Sequence, residues 1–335
     1  MRAIYLEEPG EIVEKEIDRP EIDSDQLLVE IKSVGVCGSD VEYYRSGRIG
    51  EFVVEEPLIL GHESAGVVAE VGEEVEGFRR GDRVALEPGV PCRKCKYCKS
   101  GRYNLCPDVD FMATPPSDGA FVEYYAHPAD FAFKLPGSVS LEEGALAEPL
   151  SVGIHACSRA EVGLGDRVAI LGSGPIGLAT LQAALARGAS SVTVTDVIPF
   201  RLEMARKLGA ERAVNAEKES LEEGSFSKVI QTAGTAGTYR QAMEIVERGG
   251  KVVQVGHPHS DEVAIDPNLP ITREFDLLGS FRYVNTYADA VAMMAAGKVQ
   301  FEPTISKRFS LGEVEQALRY SSENPDECIK AMVNL

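Results

Sequence analysis

Four cysteines stand close together in this sequence: Cys92, Cys95, Cys98 and Cys106, in the pattern C-x2-C-x2-C-x7-C. Four thiolates at that spacing can close a tetrahedron around Zn²⁺ with no open position, which is a structural rather than a catalytic site. On ligands alone an iron–sulfur cluster satisfies the same pattern, and a nucleic-acid-binding zinc ribbon uses similar spacings. The segment also carries Arg93, Lys94, Lys96, Lys99 and Arg102, whose charges are expected to favour the thiolate form.

A second chemistry sits in GSGPIG, where Gly172, Gly174 and Gly177 form G-x-G-x-x-G around Pro175 and Ile176. Gly172 permits a tight turn, Gly174 lets backbone approach a pyrophosphate, and Gly177 allows close helix–strand packing. The following helix start offers free N–H groups to the phosphates. Asp196 lies 19 residues after Gly177. A carboxylate there accepts hydrogen bonds from the ribose hydroxyls of NAD and repels the 2′-phosphate of NADP. Arg201 stands nearby and could meet a phosphate. The plainer reading makes GSGPIG a turn and Asp196 a helix cap.

Other residues with chemical capacity are scattered. Cys37 lies in VGVCGSD, His62 and Glu63 in LGHESAG, and Glu148 in LAEPLSVG. They span soft, intermediate and hard zinc ligands. By themselves they are no motif, and a lone buried histidine is more often a satisfied core residue. Cys157 and Cys328 read as small buried apolar residues. His257 and His259 flank Pro258 in a loop.

The elements that must position these groups follow from periodicity. LLVEIKSVGV (27–36), SAGVVAEVG (64–72) and DRVALEP (82–88) read as strands between glycine turns. From about residue 150 the character changes. DRVAILG (166–172), SVTVTD (191–196), KVIQTAG (228–234) and KVVQVG (251–256) are short strands. They alternate with helices over 175–189, 199–210 and around 237–248. That alternation predicts an α/β domain with a doubly wound parallel sheet. Beyond it lie a helix over 286–297, a strand-like FEPTISKRF and a helix in GEVEQALRYSSE, too short a stretch to fold alone. The organisation expected is a β-rich domain from 1–150 and 282–335, with the cysteine lobe at 88–110, interrupted by a Rossmann domain at 151–281.

Composition excludes several roles for the 335 residues. The net charge of −19 argues against a nucleic-acid backbone binder. No apolar run reaches the ~20 residues that span a membrane. MRAIYLEEPG does not read as a secretory leader, so the expected setting is a reducing cytoplasm, where clustered thiols are metal ligands.

V-C-G-S-D, G-H-E, the four-cysteine lobe, E-P-L-S-V-G and G-x-G-P-x-G, in that order, resemble the zinc-dependent medium-chain dehydrogenase/reductase superfamily. The match covers nearly the whole chain. Tyr43, MATPPSDGAF (112–121), ALAEPLSVGIHAC (145–157) and SFRYVNTY (280–287) bring it nearest to the sorbitol (polyol) dehydrogenases. The resemblance implies a GroES-like β domain and two zinc ions per chain, one structural and one catalytic. It implies Cys37, His62 and Glu63 as protein ligands of the catalytic zinc. Glu148 would reach that metal directly or through its water, and Asp40 would support the imidazole of His62.

The implied reaction is NAD-linked oxidation of a secondary hydroxyl of a polyol to a ketose, zinc stabilising the alkoxide as a Lewis acid. A threonine- or 2,3-butanediol-dehydrogenase-like activity is the alternative. Ser39 matches the family's relay hydroxyl. The distal relay position, usually histidine, holds Glu42, which would pass a proton at a different pKa. Tyr43, Arg282, Tyr283 and Glu148 are the polar groups expected to bind substrate, with Phe111 and Thr114 as walls. A homotetramer is expected, with no nucleic-acid or membrane partner.

Overall fold

The computed structural model describes residues 1–258 and 262–335; His259 lies outside them. The chain forms two compact units. One comprises Met1–Glu148, Tyr287–Ala295 and Phe301–Leu335, and the other Pro149–Thr286 and Ala296–Gln300.

Alternating burial builds the first unit from strands. Arg2–Glu8 and Glu11–Glu16 form an antiparallel hairpin that Leu58–Ile59 extends. A larger sheet runs in the order Ala132–Lys134, Arg83–Leu86, Glu63–Val71, Gln26–Gly35, Lys330–Asn334, Ile305–Ser310. Tyr124–Pro128 also pairs with Gln26–Gly35. Neighbours are antiparallel except the last two strands, which are parallel. Leu27, Val29, Ile31, Val68, Val84 and Leu86 fill the core. Their burial is the main force holding the sheet together, at about 25 cal/mol per Å² of apolar surface.

The register of three strands decides where the chemistry falls. Gly35 pairs with Glu63 and Met332 pairs with Gly35. Cys37, two residues beyond Gly35, therefore meets His62 and Glu63 at the same sheet end. Lys330, two residues before Met332, arrives opposite Cys37 in the antiparallel ladder.

The second unit has a six-stranded parallel sheet. Its order is Arg212–Asn215, Ser191–Asp196, Arg167–Leu171, Phe226–Gln231, Val246–Gln254, Asp276–Gly279. In chain order this is 3-2-1-4-5-6, the dinucleotide-binding arrangement. Pro175–Ala186, Pro199–Lys207 and Ala236–Ile245 are the crossover helices. The first two open on proline, whose missing N–H is not needed there. They end a turn earlier than the sequence pattern predicts. The strand expected at 251–256 is longer and begins at Val246. Among the described residues, no helix is long and apolar enough to cross a membrane.

Candidate active site

Cys37 caps the helix Gly38–Ser46. Its amide donates to Asp40 Oδ2 at 2.8 Å, and the Gly61 amide donates to Asp40 Oδ1 at 3.0 Å. One fully buried carboxylate thus staples the Cys37 turn to the segment before His62. The support expected from Asp40 for the imidazole takes a weaker form, an approach of 3.7 Å to His62 Nδ1. The Cys37 Sγ, a His62 ring nitrogen and a Glu63 carboxylate oxygen all lie within 4.8 Å of one another. That spacing and donor set suit one zinc ion. The local potential favours a cation: burial lowers the pKa of His62, yet Cys37 and Asp40 outweigh it and hold it well above 6.5.

Glu148, in the first turn of Ala147–Ala160, is buried but stands outside that ligand group. The structure also brings up Lys330, which the sequence did not suggest. Its Nζ donates to both Glu63 oxygens, at 2.6 and 2.7 Å, and to the carbonyl of Val36 at 2.9 Å. Burial lowers the pKa of Lys330, but Glu63 and Cys37 raise it beyond its ordinary value, so it is charged.

In the lobe, the four Sγ atoms of Cys92, Cys95, Cys98 and Cys106 lie within 4.8 Å of one another. Zn–S bonds of 2.3 Å place tetrahedral sulfurs about 3.8 Å apart, so the cluster fits the ion. Amides do the work expected of the basic side chains. Cys98 N donates to Cys95 Sγ and Cys92 N to Cys106 Sγ. The Cys98 amide is the main cause holding the Cys95 thiol down at about 7, while burial and sharing of hydrogens with Cys95 push Cys98 up to about 12. Binding a dication there would displace the thiol protons. Arg93 is turned away to Asp130 at 2.7 Å, and Lys96 lies over the Tyr97 ring. Tyr103 ties the lobe to the sheet by donating to Glu87 Oε1 at 2.7 Å. Burial pushes this carboxyl up to about 7.

In the second unit, Gly172 has φ 111°, and a Cβ there would meet Thr232 and Ala233. A Cβ on Gly177 would sit 2.0 Å from the Gly172 carbonyl oxygen, which is the close packing expected of that position. Gly174 caps the helix and Pro175 opens it; Ile176 follows in the first turn. Asp196 ends its strand with both oxygens engaged. Oδ2 accepts from Ser173 N and Oγ at 2.8 and 3.0 Å, and Oδ1 from Val197 N and Ile198 N at 2.8 and 3.0 Å. It is therefore the acid beside the glycine loop and the brace of the turn before the next helix, whose N-cap is Ile198, so the plainer reading of Asp196 as that helix's cap does not hold. Arg201 Nη1 lies 3.9 Å from where a Gly174 Cβ would be.

The remaining expected residues are unevenly placed. The Phe111 ring lies 5.7 Å from that of His62, so it borders the Cys37–His62–Glu63 group. Tyr43 is buried, while Ser39 and Thr114 are half-buried. Glu42 is exposed and accepts from Ser46 Oγ at 2.8 Å. Tyr283 is buried between Arg282 and Asn285, both with left-handed backbone at φ 51° and 54°. Non-glycine residues hold that conformation at a cost, and such strain clusters at functional sites.

A donor set suited to zinc and a dinucleotide-binding sheet order in one chain point to a class, the metal-dependent dehydrogenases. The comparisons agree with that class. Residues 23–137 match the alcohol dehydrogenase GroES-like domain and residues 175–296 the zinc-binding dehydrogenase domain. A sorbitol dehydrogenase of Bacillus subtilis (strain 168) is 44% identical over 341 residues, covering 99% of this chain and 97% of the relative. One from Mus musculus is 43% identical over 329 residues, covering 94% and 91%. The crystal structure of an Escherichia coli oxidoreductase/dehydrogenase of unknown specificity superposes with a TM-score of 0.94 at 38% identity, covering 99% and 98%. The chain belongs to the zinc-binding alcohol dehydrogenase family.

Proposed function

We propose that this chain oxidises a secondary hydroxyl of a polyol to a ketose with NAD. The observation that carries the reading is the convergence of Cys37, His62 and Glu63 at one sheet end, in a chain 44% identical to a sorbitol dehydrogenase over nearly its whole length. Cys37, His62 and Glu63 would hold the catalytic zinc, with the buried Glu148 acting through water, and the four-cysteine lobe would hold a structural one. When bound, zinc supplies Lewis acidity toward a hydroxyl, and the nicotinamide accepts hydride. The protein's own share is orientation and proton handling. Asp40 fixes the ligand turn, Phe111 and Thr114 would wall the pocket, and Tyr43 would offer a polar contact. Ser39 and Glu42 would pass the substrate proton to solvent.

The glycine loop (Gly172, Gly174, Pro175, Ile176, Gly177) with Asp196 and Arg201 would hold the dinucleotide. Arg282 and Tyr283 would read the polyol hydroxyls, so truncating Arg282 should raise KM for polyols more than for simple secondary alcohols. We further propose a homotetramer in a reducing cytoplasm. The edge strand Asp276–Gly279, with Leu277 exposed, is a surface for pairing copies. The decisive test follows NADH absorbance across polyols, threonine and 2,3-butanediol, before chelation, after it, and after zinc is restored. Polyol turnover that chelation abolishes and zinc restores is expected. No turnover on any polyol with zinc present would overturn the reading, and preference for threonine or butanediol would move the substrate class.

A further inference from the structure

A lysine is an unusual neighbour for metal ligands, since its charge repels the ion. Lys330 is nevertheless only 3% exposed, and its ammonium occupies both oxygens of Glu63. Its third hydrogen bond goes to the carbonyl of Val36, next to Cys37. The backbone prepares this contact. Val36 N donates to the Ala331 carbonyl at 3.0 Å, so the strand bearing Lys330 is laced to the one leading into Cys37. Gly35 leaves the room: a Cβ there would fall 2.1 Å from Glu63 Oε2.

We infer that Lys330 is a positioning residue of the metal centre, a resident counter-ion that orients the Glu63 carboxylate and weakens it as a metal ligand. The inference rests on reading Cys37, His62 and Glu63 as the metal site. Two consequences follow from charge alone. Without metal, Glu63 and Asp40 are fully buried acids close to a thiol, and Lys330 keeps this arrangement foldable. With metal, a fixed positive charge a few ångströms away lowers affinity for a dication and competes with it for Glu63.

The test uses the full chain with zinc removed and titrated with cobalt(II). One thiolate and four give different charge-transfer intensities, so the two sites are read separately. Lys330→Met should unfold at lower urea concentration than wild type when metal-free, and cobalt should restore more of its stability. Its affinity at the one-thiolate site should rise about tenfold, because a buried like charge has gone. Lys330→Met combined with Glu63→Gln removes the stranded carboxylate. It should recover metal-free stability and lose the gain in cobalt affinity seen in Lys330→Met, since the repelling charge and an anionic ligand go together. Unchanged or weakened cobalt affinity in Lys330→Met would overturn the counter-ion role. If Lys330→Met does not fold, folding of the double variant supports the role and its failure overturns it. Wild-type protein that binds no cobalt at the one-thiolate site would instead overturn the metal-site reading, and this inference with it.

Discussion

Asp196 makes two structural attachments and is assigned one chemical task, and replacing it separates them. All four of its close contacts are donors: Ser173 N, Ser173 Oγ, Val197 N and Ile198 N. A carboxylate has about four lone-pair sites, so the set is full. A ribose diol brings two further donors, and one of the four must give way. Ser173 Oγ is the only donor that can turn aside, because the other three are backbone amides. Asp196→Ala releases all four. The helix-start amides can turn to water, whereas the Ser173 pair, on a residue with no exposed surface, loses its acceptor. The expected loss of unfolding free energy is about 2 kcal/mol, within the usual range for stranding buried donors. For catalysis, two charge-assisted hydrogen bonds of about 1.5 kcal/mol each imply a fall in kcat/KM for NAD of about two orders of magnitude. Activity with NADP should rise as a repelling charge disappears. Ser173→Ala is the control. It should cost about 1 kcal/mol of stability while keeping NAD preference, and it should bind NADH up to about fivefold more tightly because the competing hydroxyl has gone. Steady-state kinetics with both cofactors, NADH fluorescence titration and urea unfolding measure these terms. If Asp196→Ala lost stability but kept its kcat/KM for NAD within about threefold, the carboxylate would be a loop tether and nothing more.

Other perturbations separate structure from chemistry in the first unit. Burial holds the His127 imidazole down at about 4, below its unfolded 6.5, with Nε2 beside the Glu87 carbonyl at 3.1 Å. The unfolded chain therefore binds the proton first, and stability falls by about 3 kcal/mol as pH drops from 6.5 through 4; His127→Gln should flatten that limb of a stability–pH curve. Glu87 acts in the opposite direction. Burial raises it from 4.5 to about 7, so its protonated form stabilises the fold at low pH and is lost as pH rises through 7. Tyr103→Phe removes the hydroxyl that solvates the ionised form and should cost about 2 kcal/mol above pH 7 and less below, checked by urea unfolding at both. Glu42→Gln should leave stability unchanged and shift the pH dependence of kcat; an unmoved profile would take Glu42 out of the proton route.

What could be read from the sequence divides according to whether a signal is local. The four cysteines sit within one short lobe, so their spacing in the chain is nearly their spacing in space. GSGPIG followed by Asp196 is one βαβ unit, and its strand–turn–helix order is written in consecutive residues. The 3-2-1-4-5-6 sheet follows from alternating strands and helices under the right-handed crossover rule. The helix Ala147–Ala160 was not read as one, although Pro149 in its first turn is a recognisable helix-start signal.

Lys330 was beyond that kind of reading because nothing near it in the chain explains it. DECIKAMVN reads as an apolar strand preceded by polar residues, and there a lysine looks like a solvated strand end. Only the ladder pairings of Met332 with Gly35 and Gly35 with Glu63 bring residues 37, 63 and 330 to one place. A register one residue different would turn Lys330 to the other face and leave Glu63 a buried acid without its cation. The pair therefore also specifies the register, because a slipped sheet would strand two charges in a core that can solvate neither. A buried lysine in this place therefore has a reason that counting candidate ligands does not give: the contact proposed to temper metal binding at Glu63 also penalises misalignment of the strands that carry Cys37, Glu63 and Lys330.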